Sequence, residues 1–187
     1  MSLILEYHIA EAVAALKKGC ILKFPSDTVW GLACAMSESE AVLKLRQVQD
    51  FSNHTLHELL VCDEFMLNKY VTKIHPRVDT LLHYYQRPLT VVHKSTMNLP
   101  AYLLPETDKI GFRLTRNQFC ESVIHDLACP LYFLSFYRLK HLNTQATRKM
   151  LESLVDHEVA ESCYDPLEKR SSRIVSYDQG GRLIFHN

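Results

Sequence analysis

The chain has 187 residues, and its 21 lysines and arginines are balanced by 21 aspartates and glutamates. Hydrophobic residues make up 47% and charged ones 22%, a globular balance that excludes a disordered, collagen-like or low-complexity chain. Zero net charge gives no support to a protein held mainly by phosphate contacts, and its five glycines form neither GxGxxG nor GxxxxGK[ST].

No linker or internal repeat divides the chain, so a single domain over 1–187 is expected. Ile9, Val13 and Leu16 recur at helical spacing, with Gly19 as the stop. Cys20 to Phe24 reads as a buried strand ending at Pro25, and Val29 to Ala35 as a second apolar run. Ser37 and Glu40 form a capping box for a helix carrying Ala41, Leu45 and Val48. A strand over Leu56 to Cys62 precedes two helices, Asp63 to Tyr70 and Pro76 to Tyr85. Strands follow at Pro88 to His93 and Lys109 to Leu114, a helix at Arg116 to Leu127, and a strand at Pro130 to Ser135. The end reads as a helix over Thr144 to Val155 and a hairpin, Arg173 to Tyr177 and Arg182 to Phe185, turning at Gly180 and Gly181. This order predicts an α+β fold of α/β-type layers, a mixed sheet with helices packed on it.

The six cysteines have no CxxC spacing and sit mostly in apolar runs, which suits reduced thiols rather than disulfides or a metal site. The charge-free stretch from Leu127 to Tyr137 is too short to span a bilayer, and the first residues lack a leader pattern. These features predict a soluble, cytoplasmic protein with no membrane partner. His57-Glu58 starts like HExxH, but Val61 stands where the second ligand belongs, so His54 and His57 are read as ordinary histidines.

One segment stands apart. Lys23-Phe24-Pro25-Ser26-Asp27-Thr28-Val29-Trp30-Gly31-Leu32 places small polar groups between two apolar runs, and Gly31 allows a close backbone approach. By itself it is a tight turn in which Asp27 and Thr28 bond their own backbone. It also resembles the P-T-D/E-T-x-Y-G-L signature of the YrdC-like family, the threonylcarbamoyl-AMP synthases of tRNA modification. Pro25, Asp27, Thr28, Gly31 and Leu32 match it, while Ser26 replaces Thr and Trp30 replaces Tyr. Weaker fragments follow in family order: Pro88-Leu89-Thr90, Ile110-Gly111-Phe112-Arg113, Pro130-Leu131 with Ser135, and Ser172-Arg173-Ile174-Val175.

The resemblance implies a twisted mixed sheet with an open concave groove that joins threonine, bicarbonate and Mg-ATP and releases pyrophosphate. It implies that Ser26, Thr28 and Arg113 form the threonine end of that groove. Ser135, Ser172 and Arg173 become remnants of the nucleotide side; no catalytic residue and no metal ligand is assigned. Without the resemblance, Arg113 is a surface arginine at a strand end.

The departures from the family pattern cluster on the nucleotide side. The K-x-R of the family aligns with Gln49-Asp50-Phe51, its next basic residue with His54, and the asparagine of S-A-N with Tyr137. The late arginine falls near Phe185, Gln86-Arg87 replaces Pro-Gly, and Thr115 stands where a proline follows the arginine. A triphosphate needs cations, so these losses predict weak ATP binding and little turnover. The alternative is a non-catalytic module on the same fold that binds a small ligand in the groove, or tRNA or double-stranded RNA weakly. Phe51, Phe136, Tyr137 and Phe185 are the bulky side chains expected to fill that groove. The sequence leaves open whether Arg87, Arg138, Lys140 or Arg173 replaces the lost cations.

Overall fold

The computed structural model of the chain describes residues 3–51, 56–93, 96–104, 110–137, 139, 145–164, 169–178 and 180–186. Nine strands form one mixed sheet in the order β7-β1-β2-β6-β3-β5-β4-β8-β9. They are β1 (Leu22–Phe24), β2 (Gly31–Ala35), β3 (His57–Val61), β4 (Leu89–His93), β5 (Ile110–Leu114), β6 (Leu131–Ser135), β7 (His157–Glu158), β8 (Arg173–Tyr177) and β9 (Leu183–His186). The helices are α1 (Leu3–Leu16), α2 (Ser39–Phe51), α3 (Glu64–Asn68), α4 (Pro76–Tyr84), α5 (Gln118–Leu127) and α6 (Gln145–Leu154). Among the described residues, no helix is long and apolar enough to cross a membrane.

The central strands explain their own composition. Every residue of β2, β3, β4 and β6 is buried, so these strands are mostly apolar on both faces rather than alternating, and the polar side chains they carry, Glu58, Thr90 and Ser135 among them, are buried as well. The core joins Leu32, Leu59, Phe112, Val123 and Tyr132, among others, into one cluster. Helices α1 and α5 pack against each other, α2 lies on β2 and β6, and α3 on β3 and β5. All six cysteines are unpaired.

Three details depart from the sequence reading. Helix α1 begins at Leu3, two turns earlier than the apolar periodicity indicates, because its first turns leave Leu3, Ile4 and Tyr7 exposed. The Ser37–Glu40 capping box does not form: α2 starts at Ser39, the Glu38 carbonyl accepts from Val42 N–H, and the Ser37 hydroxyl turns to Glu38. The two-residue strand β7 was too short to carry a pattern, yet it extends the sheet by parallel pairing with β1. His57 is an ordinary buried histidine, its Nδ1 2.7 Å from the Tyr132 hydroxyl. His54 lies outside the described residues.

Candidate functional site

Residues in register on adjacent strands point to the same sheet face. That rule gathers a polar group in the middle of this sheet. Arg113 pairs with Thr90 on β4 and with Leu60 on β3; Glu58 shares its face two residues from Leu60. Glu58 pairs with Phe133 on β6, and Ser135, two residues on, pairs with Gly31. Two glycines make the room. A Cβ on Gly31 would lie 2.5 Å from the Leu134 carbonyl oxygen and 2.6 Å from the Phe133 ring. A Cβ on Gly111 would lie 2.7 Å from Thr90 Cγ2. The close approach expected at Gly31 is therefore made by the chain itself.

The signature loop closes over this face. Ser26 builds the turn, accepting from Thr28 N–H at 3.2 Å and donating to the Val29 carbonyl at 2.7 Å. The Thr28 hydroxyl sits 2.9 Å from Ser26 Oγ and accepts from Arg113 Nη1 at 2.8 Å. Asp27 reaches beyond its own turn. Its Oδ1 takes the same Arg113 Nη1 at 2.5 Å. The Cys120 thiol donates to the Pro25 carbonyl at 3.0 Å, and burial keeps that thiol protonated by raising its pKa. Tyr164 donates to the Thr28 carbonyl at 3.0 Å, and its ring lies 5.3 Å from that of Trp30.

Arg113 is not a surface residue: it is 1% exposed and stands over the Phe133 ring at 5.2 Å. Its Nε lies 3.3 Å from Glu58 Oε1. Glu58 in turn accepts from the Thr90 hydroxyl at 2.5 Å, which meets Ser172 Oγ, also at 2.5 Å. Two carboxylates thus share one guanidinium. Burial alone would favour loss of the Arg113 proton, but Glu58 and Asp27 outweigh it and hold the group charged. Burial likewise raises Asp27 above the usual carboxylate range, against the pull of Arg113 and with the push of Glu58. The two upward shifts agree physically, because two carboxylates face one cation: the guanidinium gains from both, and the excess negative charge weighs on buried Asp27. Its Oδ2 is buried with no hydrogen-bond partner among the described residues.

Of the residues singled out from sequence, Ser26, Thr28, Arg113 and Ser172 belong to this one network. Ser135 lies on the same face beside Gly31, its Oγ accepting from Tyr137 N–H at 3.2 Å. Arg173 is tied through its backbone to Pro88, and among the described residues no bond joins its side chain to the network. Phe136 is half-buried against the core, whereas Tyr137 and Phe185 are exposed at 45% and 47%. The side chains of Gln49 and Phe51 lie outside the described residues, as do Arg138 and Lys140. Sequence reading missed Glu58, Thr90 and Tyr164. The signal for Glu58 was a charged residue inside the apolar run Leu56 to Cys62, which requires a buried partner.

The sequence profile of the Sua5/YciO/YrdC family, described as "Telomere recombination", matches residues 14–184. A threonylcarbamoyl-AMP synthase of Bos taurus is 29% identical over 147 residues, 78% of this chain and 51% of that protein. The structure of P. abyssi Sua5 complexed with L-threonine superposes with a TM-score of 0.72 at 15% identity, covering 96% of this chain and 53% of that one. The structure of E. coli YciO gives 0.72 at 17% identity, covering 95% and 88%. The chain therefore spans about half the length of the bovine and archaeal relatives, and the structural likeness carries the fold alone.

Proposed function

This chain belongs to the Sua5/YciO/YrdC family, and from that premise we propose that it is a divergent relative of the threonylcarbamoyl-AMP synthases that has lost adenylate synthesis. It keeps the fold as a binding module for a small ligand or a macromolecule. The observation that carries this reading is the double neutralisation of Arg113 by Asp27 and Glu58. A threonine carboxylate arriving at Ser26, Thr28 and Arg113 meets a guanidinium already matched by two carboxylates, so it gains little and adds a third negative charge. The nucleotide side supports the same reading. Gln49, Phe51 and Phe185 offer no cation where the resemblance places basic residues. Each lost charged hydrogen bond costs about 1.5–3 kcal/mol, so two of them weaken Mg-ATP by roughly 10²–10⁴-fold. A tRNA or double-stranded RNA partner would depend on local basic patches, since the chain is neutral overall.

The test is pyrophosphate release with L-threonine, bicarbonate and Mg-ATP, run beside the bovine synthase, with calorimetry of Mg-ATP and L-threonine. The expected result is no release above background and Mg-ATP binding at least a hundredfold weaker than the synthase shows. Tight Mg-ATP binding with pyrophosphate release would overturn the reading and make this an active synthase whose cations come from other positions.

A further inference from the structure

A groove of about 490 Å³ runs beside the packed pair α1 and α5 and reaches the start of α3. Its lining carries one sign of charge. Glu6, Asp63, Glu121 and Asp126 stand around it over Ile9, and no lysine or arginine is among the described residues that line it. His125 is its one basic side chain, with Nδ1 3.2 Å from Asp126 Oδ1. In a chain of zero net charge this is a local concentration. Burial, helped by Asp27, raises the Glu121 carboxyl above its usual range against the pull of Arg116. A cation in the groove relieves that.

The groove adjoins an apolar stripe. Leu3, Tyr7 and Ala10 repeat at i, i+4 and i+7 on α1, with Leu3 83% and Tyr7 63% exposed. Glu6 and Ala10 themselves line the groove, so stripe and groove form one continuous surface. An exposed apolar stripe rimmed by charge is the surface that an amphipathic helix covers.

We propose that this surface docks a basic amphipathic helix of a partner protein, its apolar side chains covering Leu3, Tyr7 and Ala10 and its lysines or arginines entering the carboxylate-lined groove. Charge decides among the occupants. A second copy related by two-fold symmetry would set Glu6 and its neighbours against their own equivalents, which is repulsive. Nucleic acid is repelled by the same carboxylates. The ligand atoms of the groove do not converge within 4.8 Å as a metal site requires, among the described residues. This inference does not rest on the fate of the synthase chemistry.

The experiment uses the full chain and two fluorescent synthetic helical peptides with the same leucine face, one flanked by lysines and one by glutamates. In fluorescence anisotropy the lysine peptide is expected to bind at least tenfold tighter, and to weaken as salt rises. Leu3→Ser with Tyr7→Ser, and separately Glu6→Lys with Asp126→Lys, should each cut its affinity at least tenfold with unchanged thermal melting. Adding Glu121→Lys to the latter pair leaves Asp63 as the single carboxylate of the four against three lysines, and this triple variant should instead prefer the glutamate peptide, a swap that a misfolded variant cannot produce. Equal binding of the two peptides, no binding of either, or failure of the swap overturns the proposal. So does a dimer in sedimentation velocity that Leu3→Ser with Tyr7→Ser dissociates, because the face then belongs to a second copy.

Discussion

Glu58 on β3 and Arg113 on β5 form a buried ion pair across neighbouring parallel strands, Oε1 to Nε at 3.3 Å, while Asp27 holds the opposite end of the same guanidinium at 2.5 Å. Neither carboxylate would be tolerated at this depth alone, since an unpaired buried charge costs several kcal/mol. The guanidinium therefore fixes the signature loop to the sheet. Thr28 bonds the same nitrogen as Asp27, so the loop is attached at two adjacent side chains.

Replacing Arg113 by methionine tests that dependence. Arg113→Met keeps much of the volume and leaves Asp27 and Glu58 buried without their shared cation. The expected loss is about 3–5 kcal/mol in urea unfolding, the usual effect of breaking a buried pair from one side. A change below about 1 kcal/mol, smaller than one net hydrogen bond, would show that the guanidinium does not hold the network. Glu58→Gln should cost less than Arg113→Met, because it leaves Arg113 and Asp27 matched one to one and retains an acceptor for Thr90.

Gly31 is a packing requirement rather than a hinge. Its missing Cβ leaves the space occupied by the Leu134 carbonyl and the Phe133 ring that lies under Arg113. Gly31→Ala forces backbone away from backbone, so the loss should reach or exceed the roughly 1–3 kcal/mol typical of overpacking. Denaturant titration should show the drop, and a neutral result would mean that β2 and β6 separate freely here.

Much of this was legible because period and punctuation carried it. The strands from Leu22 to Ser135 announce themselves as apolar runs between turn residues, and the loop at Ser26 announces itself by the polar residues between two of them. The partners of Arg113 were not legible. Glu58 lies 55 positions before it, and only the register of β3 against β5 brings them together. Strand pairing between distant segments leaves no local trace in sequence. The same is true of Tyr164, whose hydroxyl reaches Thr28 from 136 residues away.

His93 supplies a pH test away from this network. It is fully buried on β4, with Nδ1 2.9 Å from the Tyr177 hydroxyl and Nε2 lacking a partner among the described residues. Burial lowers its pKa to about 4 from 6.5. The folded state therefore keeps it neutral while the unfolded chain protonates. Its contribution is fully present above pH 6.5 and is lost as pH falls toward about 4. At about 1.4 kcal/mol per pKa unit, the loss is on the order of 3 kcal/mol. His93→Gln keeps a hydrogen-bonding side chain but does not titrate, so its stability should fall less steeply across that window. An equally steep acid limb would move the effect to other groups.

The missing cations can be put back. Gln49 and Phe51 close the last turn of α2, where the resemblance places the K-x-R pair. Gln49→Lys with Phe51→Arg restores two donors of the kind a triphosphate requires. At about 1.5–3 kcal/mol for each charged hydrogen bond, even one productive contact should raise Mg-ATP affinity about tenfold or more by calorimetry. Threonine affinity should stay low in this variant, because Arg113 is still shared by Asp27 and Glu58. Adding Glu58→Gln removes one competing carboxylate and should then raise L-threonine binding. If the two basic substitutions leave Mg-ATP binding unchanged, lost charge is not what closes the nucleotide side. Tyr137, standing where the family has asparagine, becomes the side chain to replace next.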